Sequence, residues 1–223
     1  MKSHYVLDSS DRRNITYVEV IAMNRCAMLL SALLAIALAY SAEAGLDEGL
    51  AAHRSGDFQT AFRELLPLAE QGVAEAQLGV GVMYSDGQGV AEDPSEAVKW
   101  LRRAAEQGLA DAQLSLANMY FLGRQIPGDP AEAVKWYRRA AEQGHPQAQF
   151  SLASVYSVGD GVGQDYVLAY MWCTLSDAGS GVRRCDRVVD KMTEEQVVRA
   201  KALASKFVPR QERIARPPSE TAR

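Results

Sequence analysis

The residues of this chain whose types could do chemistry are two histidines, two glycine-rich turns, two arginine pairs and two cysteines. Beyond residue 44 the histidines are His53 and His145, far apart in sequence and without a ligand-like partner nearby. Metal ions are held by clusters of His, Cys, Asp and Glu at short spacings, so no metal and no cofactor are expected. The turns DGQGV (86–90) and GDGVG (159–163) could be taken for phosphate loops. Neither carries the Lys-Ser/Thr that a phosphate-binding loop uses, and no strand precedes either. No S-x-x-K, G-x-S-x-G, H-E-x-x-H or C-x-x-C occurs in the chain, so no catalytic residue is assigned.

The arginine pairs Arg102-Arg103 and Arg138-Arg139 sit in two nearly identical segments, EAVKWLRRAAEQG (96–108) and EAVKWYRRAAEQG (132–144). They reveal a repeat of 36 residues. Ala76-Gln77, Ala112-Gln113 and Ala148-Gln149 fall into register, as do Tyr84, Tyr120 and Tyr156, and Gly87, Gly123 and Gly159. Ala61, Ala97, Ala133 and Ala169 extend the register to a fourth unit, and Trp100, Trp136 and Trp172 follow it. Such a period marks an array in which each unit buries its apolar face only against its neighbours.

Each unit resolves into two helices. Ala76, Val80, Met83 and Tyr84 form an apolar stripe at i, i+4, i+7 and i+8 in helix A. Ala97, Trp100, Leu101, Ala104 and Ala105 form another in helix B. Asp93-Pro94 and Asp129-Pro130, each with a Glu three residues after the Asp, supply an N-cap, a first-turn proline and a capping-box pattern. Gly108 and Gly144 stand where a left-handed residue ends a helix. The arginine pairs fall off the apolar stripe, and a solvated outer face is expected for them.

The pattern A-x-x-x-(L/V)-(G/A)-x-x-Y-x-x-G, then D-x-x-x-A-x-x-W-x-x-x-A-A-x-x-G, resembles the Sel-1-like repeat (SLR), a relative of the tetratricopeptide repeat. The resemblance covers residues 45–207, with 73–108 and 109–144 matching best. It implies an all-α fold, a right-handed superhelical solenoid of antiparallel helix pairs with the A helices lining a concave face. Carrying the tetratricopeptide groove register onto this chain gives Glu75, Leu78, Val82 and Ser85 in one unit. It gives Asp111, Leu114, Asn118 and Phe121 in the next, and Gln147, Phe150, Ser154 and Ser157 in the third. Apolar residues on that stripe either form a docking strip or pack against neighbouring A helices.

The last unit keeps Ala169 and Trp172 but replaces the Asp-Pro start by Asp165-Tyr166, and residues 182–207 read as capping helices. Cys173 lies in the last B helix and Cys185 in the next helix, with the turn Ala178-Gly179-Ser180-Gly181 midway between them. Two antiparallel helices hinged there would bring the cysteines together, so a Cys173–Cys185 disulfide is expected, in keeping with an oxidising compartment. Residues 208–223 read as a disordered tail.

At the other end, residues 23–44 read MNRCAMLLSALLAIALAYSAEA. An Arg, a short apolar run and an A-x-A-like end make a secretory signal with cleavage after Ala44 and a start at Met23, residues 1–22 being a start-site artefact or an extended leader. The apolar run is shorter than the ~20 residues of a spanning helix. Membrane contact is therefore expected only through that segment if it stays uncleaved. The formal net charge is −4, with 9 Lys/Arg against 18 Asp/Glu in residues 45–182 and 11 against 6 in residues 183–223. Nothing in that balance suggests nucleic acid.

The resemblance implies a non-enzymatic protein-interaction scaffold or adaptor, periplasmic or secreted, that takes a partner protein in its groove. A cell-wall-active enzyme of the penicillin-binding or β-lactamase-like kind and a secreted effector that binds host proteins are the alternatives. Oligomeric state is open.

Overall fold

The computed structural model describes residues 44–123, 126–176 and 185–210. Residues 1–43, 124–125, 177–184 and 211–223 lie outside the described residues, and with them the expected signal, the expected turn at 178–181 and most of the expected tail. All regular structure among the described residues is helical. It comprises α1 (residues 44–55), α2 (Phe58–Glu70), α3 (Ala74–Asp86), α4 (Pro94–Glu106), α5 (Ala110–Leu122) and α6 (Pro130–Glu142). Then come α7 (Pro146–Val158), α8 (Tyr166–Ser176), α9 (Asp186–Val189) and α10 (Glu194–Ser205). The odd helices α3, α5 and α7 are the A helices, and α4, α6 and α8 are their B partners.

The starts and stops follow the sequence signals. Asp93 accepts from the Ser95 and Glu96 amides at 3.0 Å each, and Asp129 from the Glu132 amide at 3.0 Å. Asp165 caps α8 in the same way through the Leu168 amide at 3.0 Å, without a proline. The second half of the capping box is replaced. The Asp93 and Asp129 amides donate to the Tyr84 and Tyr120 carbonyls at 2.9 Å, which frees Glu96 and Glu132 to pair with Lys99 and Lys135. A full capping box appears at α10, between Thr193 and Gln196.

The B helices α4 and α6 are amphipathic. Ala97, Leu101, Ala104, Ala105, Ala133, Ala140 and Ala141 are buried, and the paired alanines let neighbouring helices approach closely. Trp100 and Trp136 fill the wider gaps with little exposure. The A helices contribute Val80, Met83, Leu116 and Leu152, all with no measurable exposure.

Three buried glutamines join the units. Gln77, Gln113 and Gln149 donate through Nε2 to the Ala69, Ala105 and Ala141 carbonyls at 3.0, 3.1 and 3.1 Å. Gln107 closes the first of these rungs, donating to Gly72 O at 2.9 Å and to Gln77 Oε1 at 2.8 Å. Gln143 repeats it on Gly108 O at 3.0 Å and Gln113 Oε1 at 2.8 Å. The register position that would close the third rung is Gly179, which has no side-chain amide.

The turn between α3 and α4 presses on the unit before it. A Cβ at Gly89 (φ +71°) would stand 2.2 Å from Phe58 O, and one at Gly161 (φ +70°) 2.4 Å from Pro130 O. Gly89→Ala must therefore either tilt α2 away or distort the turn. A left-handed non-glycine residue costs roughly 1–3 kcal/mol before any clash is counted. A drop of at least that size in unfolding free energy is expected by urea denaturation, while Gly163→Ala, where a Cβ meets nothing within 4 Å, should change little.

At the C-terminal end Cys173 and Cys185 form a disulfide with Cα atoms 5.8 Å apart. Trp172 meets Phe207 edge to face at 5.5 Å. Residues beyond α10 return to the end of α6, where the Arg210 amide donates to Glu142 O at 2.7 Å.

Candidate functional site

Open apolar surface occurs on the A helices and at the C-terminal end. α3, α5 and α7 carry apolar residues among the polar ones on their open side as well as on their buried side. Among the described residues the large apolar side chains most open to water are Leu122 (55%), Phe150 (37%) and Val158 (70%) on α5 and α7, and Val198, Leu203 and Val208 at the C-terminal end. None belongs to a B helix.

All twelve residues of the groove register lie on α3, α5 and α7, and none is buried, Ser85 and Ser157 being half-buried. Asp111, Gln147, Phe150 and Ser154 are exposed, while Glu75, Leu78, Val82, Leu114, Asn118 and Phe121 are half-buried. Leu78, Val82, Leu114 and Phe121 also touch the core, so both expected uses of those positions occur together. Asn118 and Phe121 are drawn to α6. The Tyr137 phenol donates to Asn118 Oδ1 at 2.7 Å, and its ring meets Phe121 edge to face at 6.1 Å. Burial pushes the Tyr137 phenol up to about 12.

Between α3 and α5 the face opens into a cavity of about 390 Å³, lined by Val82, Ser85, Leu101, Asn118, Met119 and Leu122, with Asp86, Ser115 and Ile126 completing it. Only Val82, Ser85 and Asn118 of these belong to the sequence-derived stripe. Leu101, Met119 and Leu122 were missed because the stripe follows one helix at a time, whereas the cavity is shared by three.

The electrostatics are one-sided. α3, α5 and α7 contain no Lys or Arg, and their only carboxylates are Glu75, Asp86 and Asp111. His145, the N-cap of α7, places Nε2 3.0 Å from Asp111 Oδ1. Among the described residues of 74–176 the Lys and Arg side chains are on α4 and α6, and their arginines are not merely solvated as the sequence suggested. Arg102 and Arg138 donate to the Tyr120 and Tyr156 hydroxyls of the following A helices. Arg103 lies 4.5 Å over Trp100 and Arg139 4.9 Å over Trp136. A guanidinium stacks on an aromatic face while still hydrated at its edge, a role that charge counting does not reveal. The hydrogen bond from Lys135 holds the Glu132 carboxyl below its ordinary value.

Among the described residues no three His, Cys, Asp or Glu side chains are grouped to hold a metal ion, and no helix is long and apolar enough to cross a membrane.

Comparison with known proteins identifies the repeat. The Sel1 repeat family model matches residues 74–109, 110–145 and 146–176. A search of curated proteins gave no match. Among solved structures, c5321, a protective antigen of uropathogenic Escherichia coli strains displaying an SLR fold, is 31% identical with a TM-score of 0.62. The alignment covers 70% of this chain and 33% of that one, so the chain spans about a third of its length. A Sel1 repeat protein from Oxalobacter formigenes is 28% identical with a TM-score of 0.57, covering 71% of this chain and 68% of that one. Residues 74–176 are three consecutive Sel1 repeats, and the chain folds as a Sel-1-like repeat solenoid.

Proposed function

We propose that this protein is an exported, non-enzymatic scaffold of the bacterial cell envelope that receives a segment of a partner protein along α3, α5 and α7. Sel1-repeat proteins are generally protein-interaction scaffolds. The observation that carries the reading here is the exposure of the large apolar side chains Leu122, Phe150 and Val158 on α5 and α7. Exposed apolar surface with a polar border is what protein partners cover. The Cys173–Cys185 disulfide supports an oxidising compartment, periplasmic or extracellular.

Capture from an envelope extract tests it. Leu122→Asp with Phe150→Asp changes the face at two exposed positions, and Val198→Asp changes the C-terminal cap instead. The face variant is expected to lose at least tenfold of the specifically captured protein at unchanged thermal stability, and the cap variant to retain it. Equal capture by all three would overturn the reading.

A further inference from the structure

The cavity between α3 and α5 has a counterpart one unit on that the chain fills with its own side chains. Adding 36 residues carries Val82, Ser85, Leu101 and Ser115 onto Asn118, Phe121, Tyr137 and Ser151. In that second position the Tyr137 ring, buried to 3% exposure, lies against Phe121. Its hydroxyl donates to Asn118 at 2.7 Å. In the first position the tyrosine is replaced by Leu101, whose side chain is drawn back against Gly81. A Cβ at residue 81 would stand 2.8 Å from Leu101 Cγ. The residue equivalent to Gly81 is Ala117, and the one equivalent to Phe121 is Ser85. An aromatic pair is thus missing from the first position, and about 390 Å³ of space stands open to solvent there.

We infer that the α3–α5 cavity is an anchor site for an aromatic side chain of a partner protein segment flanked by Lys or Arg. The inference rests on the proposed function and names the chemistry it recognises. The aromatic identity comes from the chain's own Tyr137, which shows how a phenol fits between two A helices of this register. Met119, Leu122 and Ile126 supply apolar walls, with Ser85, Ser115 and Asn118 as polar groups within the same lining. The basic flank comes from charge. Asp86 is exposed within the lining, Glu75 and Asp111 lie further along the face, and α3, α5 and α7 offer no cation to oppose them. Asp86 is the charged group of the described lining, and it would repel an acidic segment.

The test uses methyl-labelled protein and three acetylated, amidated tripeptides: Lys-Tyr-Lys, Lys-Leu-Lys and Glu-Tyr-Glu. Lys-Tyr-Lys is expected to shift the Leu101, Met119 and Leu122 methyl signals saturably, with a dissociation constant of roughly 1 mM. The other two are expected to bind at least fivefold more weakly, the acidic peptide recovering as salt is added. Val82→Asn with Ser85→Phe and Leu101→Tyr transplants the filled arrangement. It should melt within a few degrees of wild type and lose the shifts, and Ser85→Phe alone, a change at a half-buried rim position, should weaken binding at least fivefold. Undiminished binding by both variants, equal binding of Lys-Leu-Lys, or no saturable shift at these methyls would overturn the assignment. If the filled variant still captures the envelope partner that the Leu122/Phe150 variant loses, the docking face stands and the anchor site falls.

Discussion

Gln113→Leu is expected to destabilise the array by about 2 kcal/mol, and Gln149→Leu by only about 1 kcal/mol, although the two glutamines are buried alike. Leucine matches glutamine closely in volume, so the transfer and cavity terms are small and the loss is polar. At residue 113 the substitution removes one of the two donors to the Ala105 carbonyl, which keeps the Gly108 amide, and one of the two acceptors of Gln143 Nε2, which keeps Gly108 O. Each hydrogen bond lost costs a net of about 1 kcal/mol. At residue 149 the Ala141 carbonyl loses one donor and keeps the Gly144 amide, and among the described residues no glutamine closes that rung, the equivalent position in the sequence being Gly179. Urea denaturation followed by circular dichroism gives the comparison, and amide exchange locates it, since repeat arrays need not unfold in one step. Equal losses at the two sites would show that the closing glutamine contributes nothing.

Removing the disulfide has an effect of similar size but a different address. Cys173→Ala with Cys185→Ala opens a link between residues 12 apart in sequence. The chain-entropy relation assigns a loop that short about 3 kcal/mol. Cys173 is buried at the register position that Leu101 and Tyr137 occupy in earlier units, so the bond seals the last such position covalently. α10 rests on α8 through Ala200 and through Phe207 against Trp172, and should lose amide protection in the variant. The amides of α3 to α6 should keep theirs, because nothing between them depends on the link. Dithiothreitol should reproduce the pattern in the wild-type chain; loss of protection across all units would show instead that the cap holds the whole array.

The helices, their caps and the unit boundaries were legible in the sequence because short-range rules write them. Asp-Pro at the start, Gly at the end and alanine at the helix crossings act within a few residues of where they stand. The disulfide was legible for the same reason, since a turn midway between two cysteines fixes their pairing. The glutamine rungs were visible only as a repeated letter. Their partners are 30 and 35 residues away, and no local rule says which carbonyl a buried amide will find. The arginines were misread because an outer face was equated with solvent, whereas Arg102 and Arg138 reach across to tyrosines 18 residues on. The cavity was hidden in a difference between near-copies. Leu101 against Tyr137 and Ser85 against Phe121 look like neutral drift along one helix, and become a gap only where three helices meet.

The rungs have a consequence for how long such a protein can be. Gln107 reaches back 30 and 35 residues, and Gln143 reaches back by the same two intervals. These two junctions are therefore written in the same relative coordinates, and neither refers to an absolute place in the chain. A further 36 residues inserted at a unit boundary would meet its neighbours through the contacts already present. Length is thus a free parameter of the frame, and each added unit brings one more stretch of A helix on which a different recognition surface can be written.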